Sequence, residues 1–261
     1  MNLGLQGKKA IVCGSTQGIG KASAIELALL GAEVTLVARN RNKLEGVLKE
    51  LPSNHGQRHD FLVADFVDPT SVKAAIKEFT ESKTAQILVN NTGGPPAGLA
   101  IDATEDDFTA AFSAHLICNH ILVKALVPGM KQAKYGRIIN VISTSVKIPI
   151  RGLGVSNTIR GAVANWSKTL SAELAPFGIT VNNVLPGASM TARLESIISN
   201  KAEKTKRTRE EVIKEMEAEI PAGRISDPSE VAAAVAFLAT PAAGYINGVN
   251  VPVDGGRTGS L

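Results

Sequence analysis

Two side chains that could do chemistry stand four residues apart in "GVSNTIRGAVANWSKTL" (residues 154–170): Ser156 and Arg160. The stretch reads as a helix, and a spacing of four puts both on one face. A serine hydroxyl is a weak acid whose alkoxide forms only with a base beside it. Arginine stays charged and does not shuttle protons, but its guanidinium donates to hydroxyls and stabilises negative charge growing on oxygen. The pair therefore suits holding an oxyanion better than moving a proton. The residue with a proton affinity near neutrality is His115, in "FTAAFSAHLICNHILVKALVPGMK". There Phe108, Phe112, His115 and Asn119 fall on one helical stripe at spacings of four, three and four. His115 has two readings: a proton reservoir, or a core histidine bonded to a backbone carbonyl.

A second constellation binds phosphate. In "CGSTQGIGKASAIELA" the order is Gly14-x-x-x-Gly18-x-Gly20, directly after a strand-like run and opening a helix. The first glycine allows a tight turn, and the next two let the backbone approach a pyrophosphate at the helix N-terminus. The second strand-like run ends "LVARNRNK", with Ala38 where a ribose-binding acid would stand, then Arg39, with Arg41 nearby. A missing acid and a planar cation favour a 2′-phosphate, hence NADP (NADPH) over NAD.

The elements that position these residues are legible as alternation. "KKAIVC", "AEVTLVA", "HDFLVAD", "AQILVN", "GRIINVIS", "GITVNNVL" and "NGVNVPV" are seven apolar, β-branched strand candidates, as expected of strands covered on both faces. Between them lie amphipathic segments with start signals. Asp68-Pro69 and Asp227-Pro228 read as N-caps with proline at the first helical position, and "TEDD" and "TREE" as capping boxes from Thr104 and Thr208. Gly31 and Gly178 stand where helices hand over to strands. The alternation predicts an α/β fold: a doubly wound, Rossmann-type, seven-stranded parallel sheet in a single domain, residues 1–261. The charged insert at 192–220 breaks the rhythm and predicts a helical substrate lid.

Composition bounds the rest. Two separated cysteines, Cys13 and Cys118, without C-x-x-C spacing, predict buried thiols and no metal site. No signal-peptide pattern and no run long enough to cross a bilayer are apparent, so the expected compartment is the cytoplasm and the expected partners include no membrane. A net charge of +4 and 4% aromatic residues argue against nucleic acid. The "NKAEKTKRTR" run could instead dock an acidic carrier protein, although such runs are commonly solvated helix faces.

"GSTQGIG", "VADF" with Asp65, "NNTGG" at 90–94, "LPGASMT" at 185–191 and "VDGG" at 253–256 occur in the order found in the short-chain dehydrogenase/reductase family. The chain resembles that family over essentially its whole length, with the 3-oxoacyl-acyl-carrier-protein reductase type the nearest look. The resemblance implies cofactor contacts at Gly14, Ser15, Gly18, Ile19, Gly20, Arg39, Asp65 and Phe66. It implies further contacts at Asn91, Gly93, Arg160, Pro186, Gly187 and Ser189, and a homo-oligomer, tetramer or dimer. The family's catalytic serine falls on Ser143, at the end of "NVIS". Its tyrosine, lysine and asparagine positions fall on Ser156, Arg160 and His115, so three of four expected residues are replaced.

Three readings are open. The chain could be a reductase with a rebuilt proton relay, His115 passing a proton through water to Ser143 or Ser156. It could act on a substrate whose oxygen needs stabilising but not rapid protonation. Or it could have lost catalysis and kept NADP as a sensor or assembly subunit. The intact cofactor motifs and Ser143 favour an NADP-dependent oxidoreductase acting on a small-molecule or acyl-thioester carbonyl.

Overall fold

The computed structural model describes residues 1–260. Its strands are β1 (Lys9–Cys13), β2 (Glu33–Ala38), β3 (Asp60–Val63), β4 (Ile87–Asn90), β5 (Gly136–Val141), β6 (Ile179–Pro186) and β7 (Asn250–Val253). All pair in parallel in the order β3-β2-β1-β4-β5-β6-β7. The seven strand candidates are all present. Strand order reverses between β1 and β4, and a crevice for ligands opens at such a point, beyond the carboxyl ends of the strands.

The helices are α1 (Gly18–Leu29), α2 (Arg41–Glu50), α3 (Pro69–Ser82), α4 (Glu105–Phe112), α5 (Cys118–Ala133), α6 (Gly154–Leu174), α7 (Ala192–Thr205), α8 (Arg209–Ala218) and α9 (Pro228–Ala239). One face of the sheet is covered by α1, α2 and α9 through Leu27, Leu44, Val231 and Val235. The other is covered by α3, α5 and α6 through Ile76, Leu122, Leu126 and Leu174. The start signals act as caps: Asp68 accepts from Thr70 N, and Thr104 and Thr208 close capping boxes with Asp107 and Glu211. Asp227 adds a third box with Glu230.

Two features differ from the sequence reading. The stripe through Phe108 and Asn119 is interrupted by a π-turn, Ser113–Ile117, joining α4 to α5. One extra residue in the turn rotates the downstream helix by about 100°. His115 and Asn119 are buried as a result, while Phe112 is 40% exposed. The 29-residue stretch Glu105–Ala133, whose most apolar 18 residues have mean hydropathy 1.5, is also long and apolar enough to cross a membrane by length and composition. Here it packs against α3 and α6 and carries Pro128.

The sheet contains a further device, a row of asparagines in register across four strands. Asn90 pairs with Asn140, Asn140 with Asn183, and Asn183 with Asn250. Asn90 Nδ2 donates to Asn140 Oδ1 (2.8 Å), Asn140 Nδ2 to Asn183 Oδ1 (3.0 Å), and Asn183 Nδ2 to Asn250 Oδ1 (2.8 Å). Ser167 on α6 takes a second bond from Asn140 Nδ2 (3.2 Å). Buried amides need such partners, and the row supplies one to Nδ2 of Asn90, Asn140 and Asn183, while Asn90 Oδ1 has none among the described residues.

The charged insert folds as α7 and α8, with a core of its own: Leu194, Ile198, Ala202 and Val212 are buried together. Three of its seven cations are paired within it. Arg207 and Lys201 pair with Glu215, and Arg209 with Glu195.

Candidate active site

The phosphate loop is built by close approach. Gly14 has φ +60°, and a Cβ there would lie 2.4 Å from the Asn91 carbonyl oxygen; one on Gly20 would lie 2.2 Å from that of Gly14. Asn91 Nδ2 donates to the carbonyls of Cys13 (3.2 Å) and Gly14 (3.3 Å), tying the turn after β4 to the turn after β1. Ser15 is fully buried, and its Oγ accepts from Val37 N (3.0 Å). Its hydroxyl thus fastens the loop to β2, which leaves Gly18, Ile19 and Gly20 to meet a phosphate. Gln17 caps α1 through no side-chain bond and the first turn has no acid, so the N–H groups there favour an anion.

The two arginines after β2 separate clearly. Arg41 lies over the Phe61 ring, 5.2 Å from its centroid, and near Glu45. Arg39 is exposed and has no hydrogen-bond or ion-pair partner among the described residues, so its fork is free for a 2′-phosphate. Asp65 Oδ1 accepts from Val67 N (3.0 Å), and the Phe66 carbonyl accepts from Cys118 Sγ (3.5 Å), fixing the wall beyond β3. Pro186 ends β6. Gly187 packs where a Cβ would come within 2.7 Å of Asp254, the acid of "VDGG", which explains why the two motifs occur together.

Two observations test whether NADP fits. Ser189 Oγ is buried with no partner among the described residues, and a Cβ on Gly93 would meet nothing within 4 Å. An orphaned hydroxyl and open space, on the two sides of the crevice, fit a bound dinucleotide together with Arg39 and the phosphate loop.

The chemistry-bearing residues converge beyond β5. Ser143 caps a short 3-10 turn, its Oγ accepting from Ser145 N (3.0 Å). That bond uses a lone pair and leaves the hydroxyl proton free to donate. Ser156 is 6% exposed on α6 and its hydroxyl has no partner among the described residues. One turn further, Arg160 is 7% exposed, and its Nη1 donates to the Val141 carbonyl (3.3 Å), two residues before Ser143. Burial, with Arg193's charge secondary, brings its pKa down to about 10, so it remains a cation at neutral pH.

His115 is 2% exposed, its Nδ1 2.6 Å from Thr92 Oγ1. Burial first, then the charges of Arg160 and Arg193, push its pKa down to about 3. At neutral pH the ring is therefore uncharged, which argues against a reservoir and leaves one nitrogen a donor and the other an acceptor. The bond to a side chain also replaces the expected backbone carbonyl.

Sequence reasoning missed Thr92 and Arg193. Thr92 was marked only by its hydroxyl, in "NNTGG". Arg193 was hidden in the charged insert. It reaches from the first turn of α7 to the loop after β4, where its Nη2 donates to the Pro95 carbonyl (3.0 Å).

Comparisons with known proteins agree with this geometry. A family model described as enoyl-(acyl carrier protein) reductase matches residues 14–258. The NADPH-dependent reductase BacG of Bacillus subtilis is 30% identical, the match covering 97% of this chain and 99% of that one. A 3-oxoacyl-[acyl-carrier-protein] reductase, FabG, of Vibrio cholerae is 34% identical over 97% and 98%. Among solved structures, L-sorbose reductase of Gluconobacter frateurii, complexed with NADPH and L-sorbose, superposes with a TM-score of 0.94 over the whole of both chains at 29% identity. From the parallel sheet, the phosphate loop and these matches together, the chain belongs to the short-chain dehydrogenase/reductase family.

Proposed function

We propose that this chain is an NADP(H)-dependent oxidoreductase interconverting a carbonyl compound and its alcohol, like a 3-oxoacyl reductase but with an atypical Ser143, Ser156, Arg160 and His115 site. The observation that carries the reading is the pair of free hydroxyl protons, on Ser143 and Ser156, beside the buried Arg160 cation in the cofactor crevice. Arg39 and the phosphate loop hold NADPH, Asp65 and Phe66 flank its adenine, and Ser189 faces the nicotinamide side.

Bound NADPH supplies a hydride. Ser143 and Ser156 hydrogen-bond the carbonyl oxygen, and Arg160 stabilises the charge that grows on it as the carbon accepts the hydride and the C=O π bond breaks. The oxygen takes one proton, passed from solvent through Thr92 and His115 to a serine hydroxyl, giving the alcohol. In sum, carbonyl, NADPH and a proton become alcohol and NADP⁺. The α7–α8 insert serves as the lid over the carboxyl edge, and the chain works as a homo-oligomer, a tetramer or dimer. A reducing cytoplasm suits Cys13 and Cys118, both buried free thiols.

Purified protein with NADPH and a panel of 3-oxoacyl thioesters, ketones and oxo acids tests this, read by loss of reduced-cofactor absorbance. Turnover on any member, abolished by Ser143→Ala, supports the reading. The alternative, an NADP-binding sensor or assembly subunit, is favoured by His115, whose ring is neutral at pH 7 and holds no proton beyond the one of the neutral imidazole. Tight NADPH binding with no turnover across the panel would establish it.

A further inference from the structure

Each phosphate of a dinucleotide's diphosphate is negatively charged, and the glycine loop after β1 meets it with N–H groups alone. The neighbouring cation, Lys21, is held by Glu50 at 2.6 Å. Arg39 follows β2 and is free for the 2′-phosphate, Arg41 lies over Phe61, and Arg160 is buried on the Val141 carbonyl. Hydrogen bonds between ionised partners are about twice as strong as neutral ones, so a cation facing this loop would strengthen its hold.

The start of α7 brings one. Thr191 caps that helix by accepting from Leu194 N (3.3 Å), and it stands against the phosphate loop: a Cβ on Gly18 would lie 3.1 Å from its Cγ2. Two residues on, Arg193 reaches the opposite wall. Its Nη2 donates to the Pro95 carbonyl (3.0 Å), and a Cβ on Gly94 would meet its Nη1 at 2.1 Å. This wall is the turn that Asn91 ties to the carbonyls of Cys13 and Gly14. One short segment thus spans from the loop after β1 to the loop after β4, across the point where strand order reverses. Arg193 is exposed, pairs with no carboxylate among the described residues, and uses one of its five N–H donors.

Building on the NADP reading, we propose that Arg193 is a cofactor-binding residue that pairs with the diphosphate and thereby fastens the α7–α8 insert over the crevice. Its flat fork matches phosphate oxygens, and the four donors not given to Pro95 are the ones available to them. Gly94 has a part in this. Its backbone lies outside the left-handed region, so glycine stands there for space, and the space is what the guanidinium occupies. Closure of the insert then answers to the cofactor as well as to the substrate.

Calorimetry of NADPH, NADH and adenosine 2′-monophosphate on the intact protein and its variants is the test. Arg193→Gln should weaken NADPH and NADH by the same factor, about 10- to 100-fold, the scale of one or two charge-assisted hydrogen bonds. Adenosine 2′-monophosphate, which has no diphosphate, should bind Arg193→Gln as it binds the unmodified protein. Arg193→Lys should restore part of the loss, and Gly94→Ala should weaken both dinucleotides, because its methyl displaces the guanidinium. Trypsin gives a second readout: saturating NADPH should slow cleavage at Lys206 and Arg207 in the unmodified protein and not in Arg193→Gln. Unchanged affinity of Arg193→Gln for both dinucleotides would overturn the pairing and leave the NADP reading standing. A loss confined to NADPH would also overturn it, moving Arg193 to the 2′-phosphate. Failure of the unmodified protein to bind NADPH would remove the NADP reading and this proposal together.

Discussion

His115 Nδ1 and Thr92 Oγ1 stand 2.6 Å apart, joining the π-turn of the long helical stretch to the turn after β4. The pair brings a titratable ring to the edge of the crevice and keeps it neutral, because burial and two arginine charges oppose protonation. The cost appears on acidification. An unfolded histidine protonates below about pH 6.5, whereas the folded ring does so only near pH 3, so stability falls as pH drops through that window. The contribution reaches roughly 3 kcal/mol by pH 4. His115→Gln should flatten the decline of urea midpoint between pH 6.5 and 4; an unchanged slope would show that the ring titrates normally.

Arg39→Ala should weaken NADPH binding about 10- to 100-fold while leaving NADH nearly unaffected, because the substitution removes only the 2′-phosphate contact. Arg41→Ala should do much less, since that guanidinium lies over Phe61. Calorimetric titration of both cofactors into each protein decides it, and equal affinity of the unmodified protein for both would refute the NADP assignment.

Ser143→Ala should lower kcat about 100-fold or more with the NADPH Kd unchanged, as expected when one donor to a developing oxyanion is lost. Ser156→Ala should act in the same direction. Restoring a tyrosine and lysine together, Ser156→Tyr with Arg160→Lys, should reduce native turnover, because Ser156 is 6% exposed and the phenol overpacks a filled position. A rise in turnover from that double change would mean that the native pair is a remnant.

Asn140→Leu should destabilise the fold by about 2–4 kcal/mol, since Asn90 Nδ2, Asn183 Oδ1 and Ser167 Oγ lose their shared partner. Asn250→Ala, at the exposed end of the row, should cost less. Chemical denaturation of each variant measures the difference, and equal effects would show that the row is not a connected unit.

Trypsin should cut the insert first around Lys206 and Arg207, which are exposed and link α7 to α8, and NADPH with substrate should slow the cut. Ile198→Ala should speed it, because Ile198 is fully buried in the insert's own core. A cleavage rate indifferent to both changes would remove the lid.

The architecture was legible because β1, β2, β4, β5 and β6 carry buried runs and α3, α4, α8 and α9 open on side-chain caps. The glycine turn between β1 and α1 was legible for the same local reason. The features that escaped depend on contacts between distant segments. Arg193 and Pro95 are 98 residues apart, and Thr92 and His115 are 23 apart. The stripe from Phe108 to Asn119 misled because apolar periodicity does not mark a π-turn, and the insert's charges concealed four buried core residues.

The asparagine row also ties the middle of the sheet to the end of the sequence. Asn90 and Asn250 are its two ends, and the strands between them close only when partners from four segments are in place. A nascent chain in which β4, β5 and β6 have already paired still presents Asn183 Nδ2 without its acceptor, which lies on the last strand to be synthesised. Completion of the row therefore needs the segment that continues into Asp254, whose backbone packs against Gly187 just after β6. A chain without β7 therefore leaves two groups of β6 and its following turn unpartnered at once: Asn183 Nδ2, which loses its acceptor, and Gly187, which loses the backbone packed against it.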